Sequence, residues 1–169
     1  MRITIWVTEG TWPACVEAAV ELAGSRPAEV TLIHVREEPH AAAEPVFGSL
    51  IGRGRRRRAA DELHQLSLEA AQRMLADAEQ RLGRAATVRL ESGFPERVVT
   101  AAADAADYLI IGRDGDRSRL GPDSLGRHTR FVIDHAPCRV LLVWPGAVPG
   151  LGSIPPPPPD RRGGQRGGR

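Results

Sequence analysis

Short apolar segments alternate along the chain with stretches in which apolar residues recur every three or four positions. The β-branched and aromatic residues at 2–8 predict a strand, and the spacing of apolar residues over 12–23 predicts a helix. Thr11 can cap that helix, and Pro13 suits its first turn. The same alternation continues to residue 143. Further strands are expected at 30–35, 87–90, 108–111 and 139–143, and further helices at 61–82, 95–106 and 126–135.

Three of these strands are continuously apolar, which is typical of a sheet that helices cover on both faces. They are 30–35, 108–111 and 140–143. The strand at 87–90 alternates with polar residues and is expected at a sheet edge. The pattern predicts a doubly wound α/β domain with a five-stranded parallel sheet. Because ligands bind such folds at the carboxyl ends of the strands, a site is expected at 8–11 and 112–126.

The polar stretch 36–60 is expected to be a long loop, and five arginines crowd Arg53 to Arg58 within it. The helix that follows ends at Gly83. Its predicted apolar stripe consists of Leu63, Leu66, Ala70, Met74, Ala78 and Leu82.

The composition changes at Pro145, since 14 of the last 25 residues are Pro or Gly. Such a segment buries too little apolar area to offset its ordering entropy. We therefore predict one domain at 1–144 and a disordered tail at 145–169. Pro155–Pro159 could present a polyproline helix to a protein partner, although a merely solvated extension is the simpler expectation.

Charge is distributed unevenly along the chain. All 23 cationic residues are arginine, and the formal net charge is +2. Residues 1–144 hold 19 arginines and 20 acidic residues, which gives −1, so the basic character belongs to Arg53–Arg58 and the tail. No aromatic residue is interleaved with this arginine run, so nucleic-acid binding is not expected.

The other compositional signals are negative ones. The longest apolar run, 140–144, is too short to cross a membrane. Glu9 interrupts the N-terminal apolar segment too early for a signal peptide, so a cytoplasmic location is expected. Cys15 and Cys138 are too few for a disulfide framework and are expected to be small core residues.

No catalytic motif is evident. The five histidines show no metal-ligand spacing, and no Gly-x-Ser-x-Gly elbow presents a nucleophile. The absence of lysine excludes both a Walker site and a phospho-receiver site. The sequence therefore does not predict an enzyme.

Glycines flank a ten-residue spacer after the fourth strand, with Gly112 and Gly115 before it and Gly126 after it. Glycines allow close backbone approach, and free amides at a helix N-terminus favour an anion, so the segment is a candidate phosphate cradle. Glycines that only turn the chain would give the same pattern. Nearby Asp114, Asp116 and Asp123 could hold Mg²⁺ on a triphosphate, or form a solvated turn.

These glycines, together with His135-Ala136-Pro137-Cys138 before the last strand, resemble the C-terminal signature of the universal stress protein family. Glu9-Gly10-Thr11, Gly93-Phe94-Pro95 and the run 107–112 extend the resemblance over most of 1–144. It implies a five-stranded sheet of order 3-2-1-4-5, with the layering of flavodoxin-like and adenine nucleotide alpha-hydrolase-like folds.

The resemblance also implies a ligand, because some members of the family bind ATP. In those members the acid after strand one contacts adenosine, the end of strand two meets adenine, and the glycines hold ribose and phosphates. Carried over, the binding residues are Glu9, Val35, Gly112, Arg113, Gly115 and Gly126, with Arg127, His128 and Thr129 at the phosphate end. Here Glu9 stands for the usual Asp, the spacer has ten residues rather than nine, and Arg127 stands for a small Ser or Thr.

Two functions follow. The first is a universal stress protein that binds ATP, with or without Mg²⁺, and acts in signalling or protection rather than turnover. The alternative is a protein-interaction scaffold with a degenerate pocket, in which Arg127 would fold across the crevice. In either case an unpaired last strand, Arg139–Val143, would leave a bare sheet edge, so a homodimer through this strand is expected.

Overall fold

The computed structural model describes residues 1–37 and 53–156 of the 169-residue chain. Strands and helices alternate within these residues. The strands are β1 (Arg2–Trp6), β2 (Glu29–Glu37), β3 (Thr87–Gly93), β4 (Tyr108–Gly112) and β5 (Arg139–Val143). The helices are α1 (Trp12–Ala23), α2 (Arg53–Leu82), α3 (Pro95–Ala103) and α4 (Arg127–His135), with short 3-10 turns at Pro122–Ser124 and Leu151–Ser153.

The five strands form one parallel sheet of order β3-β2-β1-β4-β5, which confirms the predicted fold and the predicted edge position of β3. Central β1 pairs with β2 on one side and with β4 on the other. The chain therefore runs outward in one direction from β1 to β3 and in the other from β4 to β5. This reversal opens a crevice beyond the carboxyl ends of β1 and β4.

Helices cover both faces of the sheet because successive strand residues point to opposite sides. Ile3 and Ile5 pack in one core with α1 and the last turns of α2, whereas Trp6 packs in the other with α3 and α4. Cys15 is fully buried in the first core, as expected, and burial raises the pKa of its thiol to about 12. Cys138 is only half-buried.

Helix α2 begins earlier than the sequence predicted. Arg53–Arg58 lie in its first turns rather than in a loop, because arginine is a strong helix former and only Gly54 interrupts the run. Of the predicted loop 36–60, residues 38–52 lie outside the described part of the chain. None of the described helices, α2 included, has an apolar stretch long enough to span a membrane.

The apolar stripe predicted for α2 is correct only in its second half. Ala78 and Leu82 are buried, but Leu63 and Leu66 are 68% and 58% exposed and Ala70 is also exposed. A helix of 30 residues is about 45 Å long, much longer than the strands that it covers. Its N-terminal turns therefore have no sheet beneath them.

The predicted disordered tail is described only as far as residue 156. Within that part, Ser153 Oγ accepts a hydrogen bond from the backbone N–H of Leu120 at 3.0 Å, and Pro155 lies beside Gly121. Residues 145–156 therefore contact the loop that precedes α4. The domain boundary and the disorder of the remainder stay predictions, since residues 157–169, which include most of the pentaproline and all the tail arginines, lie outside the described residues.

Candidate functional site

The ends of β1, β2 and β4 bring the residues predicted for adenosine to one edge of the sheet. Ile5 lies opposite Ile110 in the register, so Glu9 lies just beyond the level of Gly112. The side chain of Glu9 is exposed, and its carboxylate has no hydrogen-bond or ion-pair partner among the described residues. That carboxylate is free to accept hydrogen bonds from a ligand.

Beside it, the end of β2 is fixed to the end of β1 by a side chain. His34 Nδ1 lies 2.7 Å from the carbonyl oxygen of Val7. The next residue, Val35, is buried. This contact holds β2, two residues before the charged pair Arg36-Glu37 that ends it, next to the segment that leads to Glu9.

Gly112 closes the other side of the crevice against the start of α1. A Cβ atom on Gly112 would lie 2.4 Å from Thr11 Cβ, closer than side chains ever approach. Thr11 is itself buried, and its hydroxyl lies 2.5 Å from that of Thr8. Glycine at this position is therefore needed to let β4 and α1 pack together.

The loop between β4 and α4 is folded back on itself. The N–H of Gly115 donates to the carbonyl of Ser124 at 3.0 Å, and the N–H of Asp116 donates to that of Asp123 at 2.8 Å. A Cβ on Gly115 would lie 2.3 Å from the Asp123 carbonyl oxygen. The two limbs thus approach so closely that only glycine fits between them.

Gly126, immediately before α4, faces an acidic side chain. Its N–H donates to Oδ1 of Asp114 at 2.7 Å, and a Cβ here would lie 2.7 Å from Oδ2 of the same carboxylate. A carboxylate is stabilised at this end of a helix by the free amides and the helix dipole. Asp114 therefore supplies an internal negative charge where the sequence predicted a phosphate.

Arg113 is held by protein groups. Its guanidinium donates to Ser124 Oγ and stacks over the ring of Trp144, 4.8 Å from the ring centre. Its Nε is buried and has no partner among the described residues. The side chain joins the loop to the end of β5.

The remaining charged side chains of the loop pair mostly with one another. Arg119 contacts the carboxylates of both Asp116 and Asp123, at 3.2 and 3.1 Å. The pKa of Asp116 is lowered, chiefly because the hydroxyl and the N–H of Ser118 donate to it. Asp114, Asp116 and Asp123 do not converge, and no group of three such ligands in the described part of the chain is arranged to hold a metal ion.

The three residues predicted to contact the phosphates, at the start of α4, lie in different environments. His128 Nδ1 lies 2.6 Å from a carboxylate oxygen of Glu96, and its Nε2 lies 3.9 Å from Glu37. Thr129 is buried. Arg127 is exposed, and its guanidinium has no hydrogen bond or ion pair with any described residue, so it does not fold across the crevice.

Glu96, at the start of α3, is an acid that sequence reasoning missed. Its pKa is lowered, mainly because its own backbone N–H donates to the carboxylate, and further because His128 and Arg127 lie nearby. The predicted site residue His128 is thus committed to an internal carboxylate.

Arg117 was also missed. Its guanidinium donates to the carbonyl of Gly10 at 3.2 Å, from the loop before α4 to the loop after β1. The two residues are separated by 107 positions, so no local pattern could have indicated the contact. Arg117 therefore joins the two loops that border the crevice, and its guanidinium has no ion pair with a described residue.

Comparison with known proteins identifies the same domain. The model of the universal stress protein family matches residues 10–143. None of the curated proteins matches the chain in sequence. Solved structures that resemble it include hypothetical protein MJ0577, at 20% identity and a TM-score of 0.60, over 85% of this chain and 94% of that one.

Two further similar structures hold nucleotides. One is a universal stress protein in complex with cAMP, at 18% identity and a TM-score of 0.57, over 86% of this chain and 98% of that one. The other is the universal stress protein from Archaeoglobus fulgidus in complex with dAMP, at 17% identity and a TM-score of 0.55, over 84% and 96%. At these identities the likeness concerns the fold.

Proposed function

The chain belongs to the universal stress protein family, and on that premise we propose that it is a cytoplasmic adenine-nucleotide-binding protein that acts in signalling or protection rather than in turnover. The observation that carries the proposal is the free carboxylate of Glu9 at the crevice between β1 and β4. Two proteins of the same fold hold cAMP and dAMP, which supports an adenine nucleotide as the ligand.

The adenosine moiety would lie at the ends of β1 and β2. Glu9 would accept hydrogen bonds from ribose hydroxyls, and the backbone of β2 near Val35 would meet the purine ring. Gly10, with φ of 72° and open space around it, lets the chain turn there without a side chain in the way.

The scaffold alternative gains no support from Arg127, whose side chain extends to solvent instead of filling the crevice. The proposal of ligand binding without turnover rests on the sequence. Two charged side chains near the crevice are held by protein partners, since His128 lies against the carboxylate of Glu96 and the guanidinium of Arg113 stacks on Trp144.

Calorimetric titration of the full chain with AMP, ADP and ATP tests this proposal directly. We expect saturable binding of at least one adenine nucleotide, and we expect Glu9→Gln to weaken it about fivefold or more through loss of charged hydrogen bonds to the ribose. Glu79→Gln, at an exposed position of α2 with no ion pair among the described residues, is the matched control. The absence of heat with all three nucleotides, at concentrations up to the millimolar range, would contradict nucleotide binding.

We further propose that two copies pair through β5, whose outer edge has no strand partner among the described residues. An open groove of about 600 Å³ runs beside this edge. Apolar side chains from α1, β5 and the following segment line it, among them Leu22, Val143, Trp144 and Val148. An unpaired strand beside an apolar groove favours association with a second copy.

The backbone shows which residues would pair. The carbonyl of Val143 accepts from Arg113 on the β4 side, so alternation directs the N–H of Leu142 toward the free edge. Leu142→Pro removes that donor at an edge position that tolerates proline. Sedimentation at micromolar concentration is expected to show a dimer for the wild type and for Leu142→Val, and a folded monomer for Leu142→Pro. A monomeric wild type, or a dimer that survives the proline, would contradict the pairing.

A further inference from the structure

The environment of α4 bears on the number of phosphates that the crevice accepts. Asp114 places its carboxylate against the N–H of Gly126, immediately before the helix. An anion bound there would meet the like charge of Asp114 within a few ångströms. Unit charges about 4 Å apart interact by about 1 kcal/mol even in bulk water, which corresponds to about fivefold in affinity.

The cations that could offset this charge are few. Arg113 is stacked on Trp144, and Arg119 is shared between two carboxylates. Three other arginines of 113–130 have no ion pair with a described residue: Arg127, Arg117, which donates to the carbonyl of Gly10, and Arg130, which donates to the carbonyls of Pro122 and Leu125. Glu9 and Asp114 are the carboxylates near the crevice that also have no ion pair among the described residues, so these groups together leave a single positive charge for the ligand.

The other groups predicted for a triphosphate are also occupied. The N–H of Gly115 donates to Ser124, and the imidazole of His128 is bound by Glu96. Asp116 and Asp123, which could have held Mg²⁺, are paired with Arg119 instead. A triphosphate would therefore bring about four negative charges to a site with one net positive charge.

We infer that Asp114 makes the crevice select adenine nucleotides with a single phosphate over ATP. This inference rests on the proposed nucleotide binding and concerns the specificity of the same site. Asp114 acts by charge, because its carboxylate lies at the helix amide that a terminal phosphate would otherwise use and repels that phosphate.

Asp114→Asn tests this role without disturbing the loop, because the amide oxygen can still accept the N–H of Gly126. The full-length wild type is expected to bind AMP at least fivefold more tightly than ATP, measured by calorimetry with and without Mg²⁺. The variant is expected to bind ATP about fivefold more tightly than the wild type while its AMP affinity changes less than twofold. Asp104→Asn, an exposed acid at the end of α3, removes the same charge elsewhere and is expected to change neither affinity.

Salt provides a second readout that a purely structural role would not move. Raising the salt concentration from 0.1 to 0.5 M is expected to narrow the wild-type preference for AMP and to change the variant little. The inferred selectivity is wrong if the wild type binds ATP as tightly as AMP, or if Asp114→Asn leaves the ratio of the two affinities unchanged. Either result leaves the proposal of nucleotide binding intact. If neither protein binds any of the nucleotides, nucleotide binding itself is overturned, and this inference with it.

Discussion

Gly115→Ala is expected to reduce adenine-nucleotide affinity at least tenfold while the sheet stays folded. The added Cβ would lie 2.3 Å from the carbonyl oxygen of Asp123 and 2.8 Å from the carbonyl carbon of Ser124, both backbone atoms that cannot rotate away. The limbs of the loop must separate, which breaks the hydrogen bonds at Gly115 and Asp116. We expect the free energy of unfolding to fall by about 1–3 kcal/mol, the usual cost of overpacking.

The matched control for this variant is Gly150→Ala, because nothing lies within 4 Å of a Cβ at that position. It makes the same chemical change at a site where the backbone has room, and it is expected to alter neither affinity nor stability. Titration with the tightest-binding nucleotide and urea denaturation measure the two effects. A Gly115→Ala protein that binds as tightly as the control would show that the closed loop is not part of the ligand site.

Gly112→Ala is expected to have the larger effect on stability, about 2–4 kcal/mol of the free energy of unfolding. Its Cβ would lie 2.4 Å from Thr11 Cβ, so β4 and the start of α1 must move apart in a fully packed region. For a domain of this size such a loss lowers the melting temperature by about 5–15 °C. Differential scanning calorimetry and chemical denaturation measure it.

Thr11→Gly separates this steric cause from other effects of the substitution. The single Thr11→Gly change removes a buried side chain and its hydroxyl contact with Thr8, so it is destabilising by itself. In the double variant with Gly112→Ala the two Cβ atoms no longer collide, and the combined loss is expected to be smaller than the sum of the single losses by 1 kcal/mol or more, about the coupling of residues in contact. Additive losses would mean that Gly112 is required for another reason.

The fold was predictable because its signal is local and repeated. Continuous apolar strands such as 108–111 have few alternatives to a buried sheet, and their alternation with helices constrains the topology. The first turns of α2 were missed for the opposite reason. The polarity of Arg53–Arg58 indicated a loop, although these residues, apart from Gly54, favour a helix by intrinsic propensity.

The sequence predicted which strand ends meet at the candidate site, but it did not predict the contacts that its side chains make. Parallel strands bring Glu9, Val35 and Gly112 to one edge, so the crevice followed from the topology. The partners of the charged side chains depend on how the loop before α4 closes. Arg117 contacts Gly10 across 107 positions and His128 contacts Glu96 across 32, separations at which sequence pattern carries no information.

Gly112, Gly115 and Gly126 also bear on how the sequences of such domains diverge. Each of them faces atoms of the chain itself: Gly112 faces Thr11, Gly115 the opposite limb of the loop, and Gly126 the carboxylate of Asp114. Selection for a folded domain alone would retain Gly112 and Gly115, whether or not a nucleotide still binds, whereas the side chain of Asp114 could move away from a larger residue at position 126. The glycines therefore indicate a shared fold, and we expect the charged residues around them to determine which ligand each such domain binds.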